Sequence, residues 1–340
     1  MMNVGINSMK ETSAHDRLIR TIRTAITEKE NLTKSEKEKV ASVLGDILCL
    51  GKESVYRRLR GEVRFSFEEV AQISQALGFS VDNIIGSQVD KKAIFELNLV
   101  DMTHININYA KRIEEYVALA SKFGALENST FKCAFNSLPF IFFLHYDSLA
   151  KFRLFKWSYQ IMRVQSLPYK DFMIEKELTN AHRAFVSEIR KVKNSQIIIN
   201  HDMFASVIRE VKYFYDLNLL DAEDVELIRA ELNEVISEIE NISISGIYNN
   251  TDSNIAVYLC NIDIDATYLL LESNNTSRSH IALYGIGGIN SLDPSICKSH
   301  ALWIESLKRY STLITFGGEI QRHKFFQEQR KLINSKLSTT

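Results

Sequence analysis

Apolar positions recur along this chain with three different rhythms, each predicting a different kind of element. In the first 90 residues they fall three or four apart over short stretches: Leu18, Ile22, Ala25 and Ile26, then Val55 and Leu59, then Val70, Ile73, Ala76 and Leu77. That is the spacing of one face of a short amphipathic helix. The middle of the chain carries a longer version, with Val225, Ile228, Leu232, Val235, Ile239 and Ile242 forming one continuous stripe. Its opposite side is acidic, with Glu223, Asp224, Glu226, Glu231, Glu234, Glu238 and Glu240 against a single Arg229. After Gly246 the rhythm changes to short β-branched or aromatic runs at 243–248, 255–262, 266–272 and 280–286, separated by Asn, Asp, Ser and Gly clusters. These predict strands of an antiparallel sheet. A helix over 299–310, a strand over 312–316 ended by Gly317 and Gly318, and a polar helix from Glu319 complete the pattern.

Chain breakers support this division. The prolines are Pro139, Pro168 and Pro294; no glycine lies between Gly124 and Gly246, and residues 169–245 contain neither type. A stretch without breakers is free to form long helices. The fold expected is therefore mainly α with an α+β C-terminal part. Its domains are an N-terminal helical domain over 14–88, a helical domain over 100–242, and an α+β domain over 243–340 with an antiparallel sheet and helices. Strands with a packed helix are the element order of small sensor domains of the PAS or GAF type, an analogy of order alone.

The most specific segment is 44–86, LGDILCLGKESVYRRLRGEVRFSFEEVAQISQALGFSVDNIIG. Val55 and Leu59, four apart, define the buried side of a helix that Gly61 is placed to end. At 100° per residue, Glu53, Ser54, Arg57 and Arg60 project opposite them, with Tyr56 and Arg58 on the flanks. Between Gly51 and Arg64 stand five basic residues (Lys52, Arg57, Arg58, Arg60, Arg64) and two acidic ones (Glu53, Glu62), a local +3 in a chain whose net charge is −1. Ser66 followed three residues later by Glu69 predicts a capping box, and Gly78 a stop. A short helix over 80–86 closes the segment.

These residues resemble the lambda-repressor-like, Cro/C1-type helix-turn-helix family, often called the XRE family, over about 70 of the 340 residues. Leu44 and Gly45 stand where the family has a leucine and a small residue in its second helix, and a small side chain there lets the two helices cross closely. Cys49 replaces the usual turn glycine, Leu50 takes the apolar turn position, and 51–54 open the recognition helix. The charged run at 34–39 lengthens the link before helix 2, which predicts an early start for that helix. The family's usual groove-reading glutamines are missing. The resemblance implies a five-helix helix-turn-helix domain whose outward set, Lys52, Glu53, Ser54, Tyr56, Arg57, Arg58, Arg60 and Arg64, contacts double-stranded DNA. Arginine pairs bidentately with guanine, and lysine or serine takes phosphate or base contacts.

Other signals change the picture less. The four cysteines are scattered without metal-ligand spacing and predict buried, reduced thiols. The eight histidines show no ligand spacing either, and the Gly-rich 284–288 stretch lacks a phosphate-loop pattern and predicts a tight turn. The aromatic span 135–159 predicts core packing between helices, with a pocket or partner groove as the alternative. Residues 321–330 read as a solvated helix. No apolar run approaches the roughly 18 residues that span a bilayer, and residues 1–16 lack a basic-then-apolar signal pattern.

Together these imply a cytoplasmic, sequence-specific DNA-binding transcription regulator. It is expected to have no catalytic residues, metal or cofactor, and no membrane partner. A homodimer follows because helix-turn-helix proteins read paired half-sites, with the 225–242 stripe as part of the dimer surface. The C-terminal region is left for dimerisation and for sensing a small-molecule or protein effector. Two alternatives stand beside this: a ligand-binding or enzymatic C-terminal module merely targeted to DNA, and a helix-turn-helix-like fold that binds another protein.

Overall fold

The computed structural model describes residues 13–29, 37–81, 84, 93, 95–100, 105–162, 167–248, 251–274 and 276–338. Among these residues the protein is mixed α/β, with twelve α-helices and one eight-stranded mixed sheet. It divides into two compact units, Met1–Ile94 and Phe95–Thr340.

Unit 1 is built from α1 (Ala14–Lys29), α2 (Lys37–Leu48), α3 (Lys52–Leu59) and α4 (Phe67–Leu77). The short stripes meet as expected: Leu18, Ile22 and Ile26 of α1, Leu44 of α2, Val55 and Leu59 of α3 and Ile73 of α4 share one buried core. Helix α2 starts inside the charged run. Of the expected closing helix over 80–86, residues 82, 83, 85 and 86 lie outside the described residues; Ile84 is buried in the same core, and its carbonyl accepts a hydrogen bond from Arg17 Nε (2.9 Å).

Unit 2 departs from the expected plan. Its elements are β1 (Glu96–Asn98), α5 (Ile105–Gly124), β2 (Thr130–Phe135), α6 (Phe140–Phe143), α7 (Asp147–Met162), α8 (Lys176–Ile189), β3 (Asn194–Asn200), α9 (Met203–Asp216), α10 (Ala222–Ser245), β4 (Asn254–Cys260), β5 (Tyr268–Glu272), β6 (Ser277–Leu283), β7 (Gly287–Ser291), α11 (Pro294–Lys308), β8 (Ser311–Leu313) and α12 (Glu319–Lys336). The sheet order is β1-β7-β6-β5-β2-β3-β4-β8. Strands β2, β3 and β4 run parallel, while every other neighbouring pair is antiparallel.

Two expectations fall here. The sheet is not antiparallel throughout, and no boundary separates 100–242 from 243–340, because β2 and β3 of the "helical" stretch pair with β5 and β4 of the other. The physical reason is that both faces of the central strands are covered, so they read as continuous apolar runs. Phe131, Cys133, Phe135, Ile197, Ile199, Val257 and Leu259 face the large core shared with α5 to α10 and α12. Ala134, Ile198, Cys260 and Leu270 face Cys297, Ile304 and Leu307 of α11.

The 225–242 stripe is a third correction. All six residues, from Val225 to Ile242, are buried in the chain's own core, where α10 packs against α7, α12 and β4. A stripe already covered this way is not available as a dimer surface. The acidic side of α10 is partly structural as well: Glu231 accepts the backbone N–H groups of Ser148 and Leu149 (3.0 and 2.8 Å), capping α7. Glu238, 14% exposed, pairs with Arg190 at 2.5 Å. Residues 243–245, expected as strand, continue α10 until Gly246 stops it in a left-handed conformation. Helix α12 is not a solvated helix either, because Phe325, Phe326 and Ile333 are buried. The 284–288 stretch is a tight turn at its start: Tyr284 and Gly285 both have positive φ between β6 and β7.

Candidate nucleic-acid interface

The link between α2 and α3 comprises Cys49, Leu50 and Gly51. Cys49 carries it through the left-handed region (φ 53°), a conformation that favours glycine. The Leu50 N–H donates to the Gly45 carbonyl (3.0 Å), and a Cβ on Gly45 would lie 2.9 Å from the Leu50 oxygen. The small residue at 45 therefore serves the approach of the turn onto α2. Of the four free cysteines, Cys133, Cys260 and Cys297 are buried, but Cys49 is exposed at this turn, contrary to the expectation that all are buried.

Within α3, Val55 and Leu59 are buried, and Lys52, Glu53, Ser54 and Arg57 are exposed, as is Arg60 just beyond the helix. Gly61 (φ 79°) is left-handed just beyond α3, and Gly78, expected as a stop, ends α4 in the same conformation (φ 74°). The capping box is present at α4, with Ser66 Oγ accepting from the Glu69 N–H (3.2 Å) and Glu69 accepting from the Ser66 N–H (2.9 Å).

The eight candidate residues divide by what holds them. Lys52 and Arg64 are exposed and have no ion-pair partner among the described residues. Arg57 lies 3.6 Å from Glu62, and Arg60 bridges Glu62 (2.6 Å) and Glu53 (3.3 Å); all four are about half exposed or more. Such exposed pairs contribute about 0–1 kcal/mol and exchange readily for phosphate. Tyr56 is half-buried and packs against the core of unit 1.

Arg58 differs from all of these. At 17% exposure it donates from Nε and Nη2 to the two oxygens of Glu69 (3.1 and 2.8 Å), and from Nη1 to the Ser54 carbonyl (3.2 Å). Glu69 therefore caps α4 and clamps α3 with a single carboxylate. Partial burial pushes that carboxyl up, but the Arg58 hydrogen bonds and the Ser66 N–H outweigh it and hold the group below its ordinary range.

Sequence reasoning missed the roles of Glu62 and Glu69 as arginine partners. It also passed over Phe67, 79% exposed at the start of α4. An apolar residue directly after an N-cap serine was the available signal. Comparison with known proteins brings no relative: no family model, curated protein or solved structure matches the chain.

Proposed function

We propose that this protein is a cytoplasmic, sequence-specific DNA-binding transcription regulator, with α2 and α3 as a helix-turn-helix and α3 as the recognition helix. One observation carries the reading: α3 buries Val55 and Leu59 while holding Lys52, Glu53, Ser54 and Arg57 outward, with Arg60 and Arg64 on the exposed segment that follows. A helix so disposed is of a size to enter the major groove. Arg57 reads a base edge in this account, Lys52, Arg60 and Arg64 take phosphates, and Arg58 positions α3 against α4. The chain acts as a homodimer on paired half-sites, through a surface other than the 225–242 stripe. Unit 2 serves as the effector-sensing module.

Selection of full-length protein on random DNA duplexes tests the reading. A preferred sequence with two half-sites about one helical turn apart is expected. Affinity should fall steeply with salt, because phosphate neutralisation releases counterions. Enrichment of no sequence, together with salt-independent binding, would refute it.

A further inference from the structure

The carboxyl end of β2 opens into a cavity that none of the preceding roles uses. In sheets with parallel strands, ligands characteristically bind outside the carboxyl ends. An outer chamber of about 590 Å³ is enclosed by the 136–138 loop after β2, the 265–267 segment before β5, the β6–β7 turn, the start of α9 and one face of α7. That α7 face is a helical stripe, Leu149, Phe152, Arg153, Lys156, Trp157 and Gln160. An inner chamber of about 80 Å³ adjoins it and is mainly apolar, lined by residues such as Ile113, Phe131, Leu144, Phe185 and Leu271. His280, Asn290 and Arg278, the last already paired with Glu96 at 2.6 Å, are also in its wall. Phe140, Arg153, Ala282 and Ile286 line both chambers.

Arg153 is the distinctive group. It is half-buried, and its guanidinium lies 5.2 Å from the Phe140 ring centre and 6.0 Å from that of Phe143. Its hydrogen bonds go to the Gly285 carbonyl (2.9 Å) and, at 3.5 Å, to the Tyr109 hydroxyl. Among the described residues no carboxylate pairs with it. A guanidinium has five N–H donors in a planar fork that matches a carboxylate, so donors remain. The other cation of the outer chamber, Lys156, is already neutralised by Glu210 at 2.8 Å, and the chamber's other carboxylate, Asp265, is exposed and accepts from the Tyr268 hydroxyl (2.9 Å). One unpaired cation suits a single negative charge better than a phosphate dianion. The inner chamber has room for about three groups the size of a water or methylene.

We infer that unit 2 binds a small carboxylic acid with a short aliphatic tail, its carboxylate on Arg153 and its tail in the inner chamber. The inference concerns unit 2 alone and does not depend on DNA binding. Arg153 also steadies the β6–β7 turn, a task shared with Trp157, whose Nε1 donates to the Tyr284 carbonyl (2.8 Å). The test must therefore separate charge recognition from turn anchoring.

Calorimetric titration of the full chain with propionate, butyrate, their uncharged amides and inorganic phosphate does so. Both acids are expected to bind at least tenfold more tightly than their amides, and phosphate not to bind. Arg153→Gln should erase the preference for acid over amide, and Arg153→Lys, which keeps the charge without the fork, should retain part of it. Trp157→Phe, which removes the other turn hydrogen bond, should preserve the preference. No binding of either acid, equal binding of acid and amide, phosphate binding as tight as the acids, an unchanged preference in Arg153→Gln, or its loss in Trp157→Phe would each overturn the inference.

Discussion

Unit 1 and unit 2 are held together at very different ranges along the chain. The core of unit 1 joins four helices that follow one another within 64 residues, from Ala14 to Leu77, and α4 is bounded by local devices, the Ser66–Glu69 box at its start and Gly78 at its end. Unit 2 is stitched by distant pairings: Thr130 of β2 opposes Glu272 of β5, and Glu96 of β1 opposes Asn290 of β7. The difference teaches where function can sit. The small unit can leave one helix face free for a partner, because three other helices share its core. The large unit buries the 225–242 stripe and both faces of its central strands within itself, and Arg153 lines a cavity there.

Core substitution breaks the comparison most severely. Ile239 of α10 is fully buried, and Ile239→Ala should destabilise unit 2 by about 2–5 kcal/mol. Both tryptophans, Trp157 and Trp303, belong to unit 2, so their fluorescence follows its unfolding alone. The loss should not vary with protein concentration, since the stripe packs within one chain. A concentration-dependent loss would return the stripe to an intermolecular role.

Acid should separate the units next. Burial first, with the charge of Arg153 added, lowers His182 to about 3, and burial, followed by the charge of His280, lowers His300 to about 4. Both are neutral in the folded state, whereas the unfolded chain takes up protons below pH 6.5. Their stabilising contribution is therefore present above pH 6.5 and is lost as pH falls from there toward 4 and 3. The Glu69 carboxyl has the opposite origin but the same direction: its contribution is complete above 4.5 and is lost only below it. Tryptophan fluorescence in an acid titration should show unit 2 weakening between pH 6.5 and 4.5, while amide NMR signals of α3 hold. His182→Phe should blunt the first change. Simultaneous loss of both units above pH 5 would contradict this assignment.

The legibility of the sequence followed the same division. In unit 1, spacing, caps and glycines each acted within a few residues, so the start and stop of α4, the end of α3 at Gly61 and the buried positions could be read directly. The partner of Arg58 could not, because Glu69 was already accounted for as a cap and nothing in a linear pattern says that one carboxylate does two things. In unit 2, TFKCAF at 130–135 and NSQIIIN at 194–200 are short apolar runs without Gly or Pro, and periodicity cannot tell a fully covered strand from a buried helical segment. Only the sheet itself, with apolar layers on both faces, identifies them. The solitary charge on Arg153 was hidden for a similar reason: which cations find carboxylates depends on packing among α7, α9 and the β6–β7 turn.

The measurement that bears most directly on the account is duplex affinity, at fixed salt, of two neighbouring variants on the preferred sequence. Arg57→Ala should weaken binding by about 1–3 kcal/mol and relax the preference at one base position. Arg58→Ala should instead lower the stability of unit 1 while leaving the base preference intact, because its guanidinium is engaged with Glu69. Unchanged affinity and preference in Arg57→Ala would contradict the assignment of α3 as the helix that reads DNA.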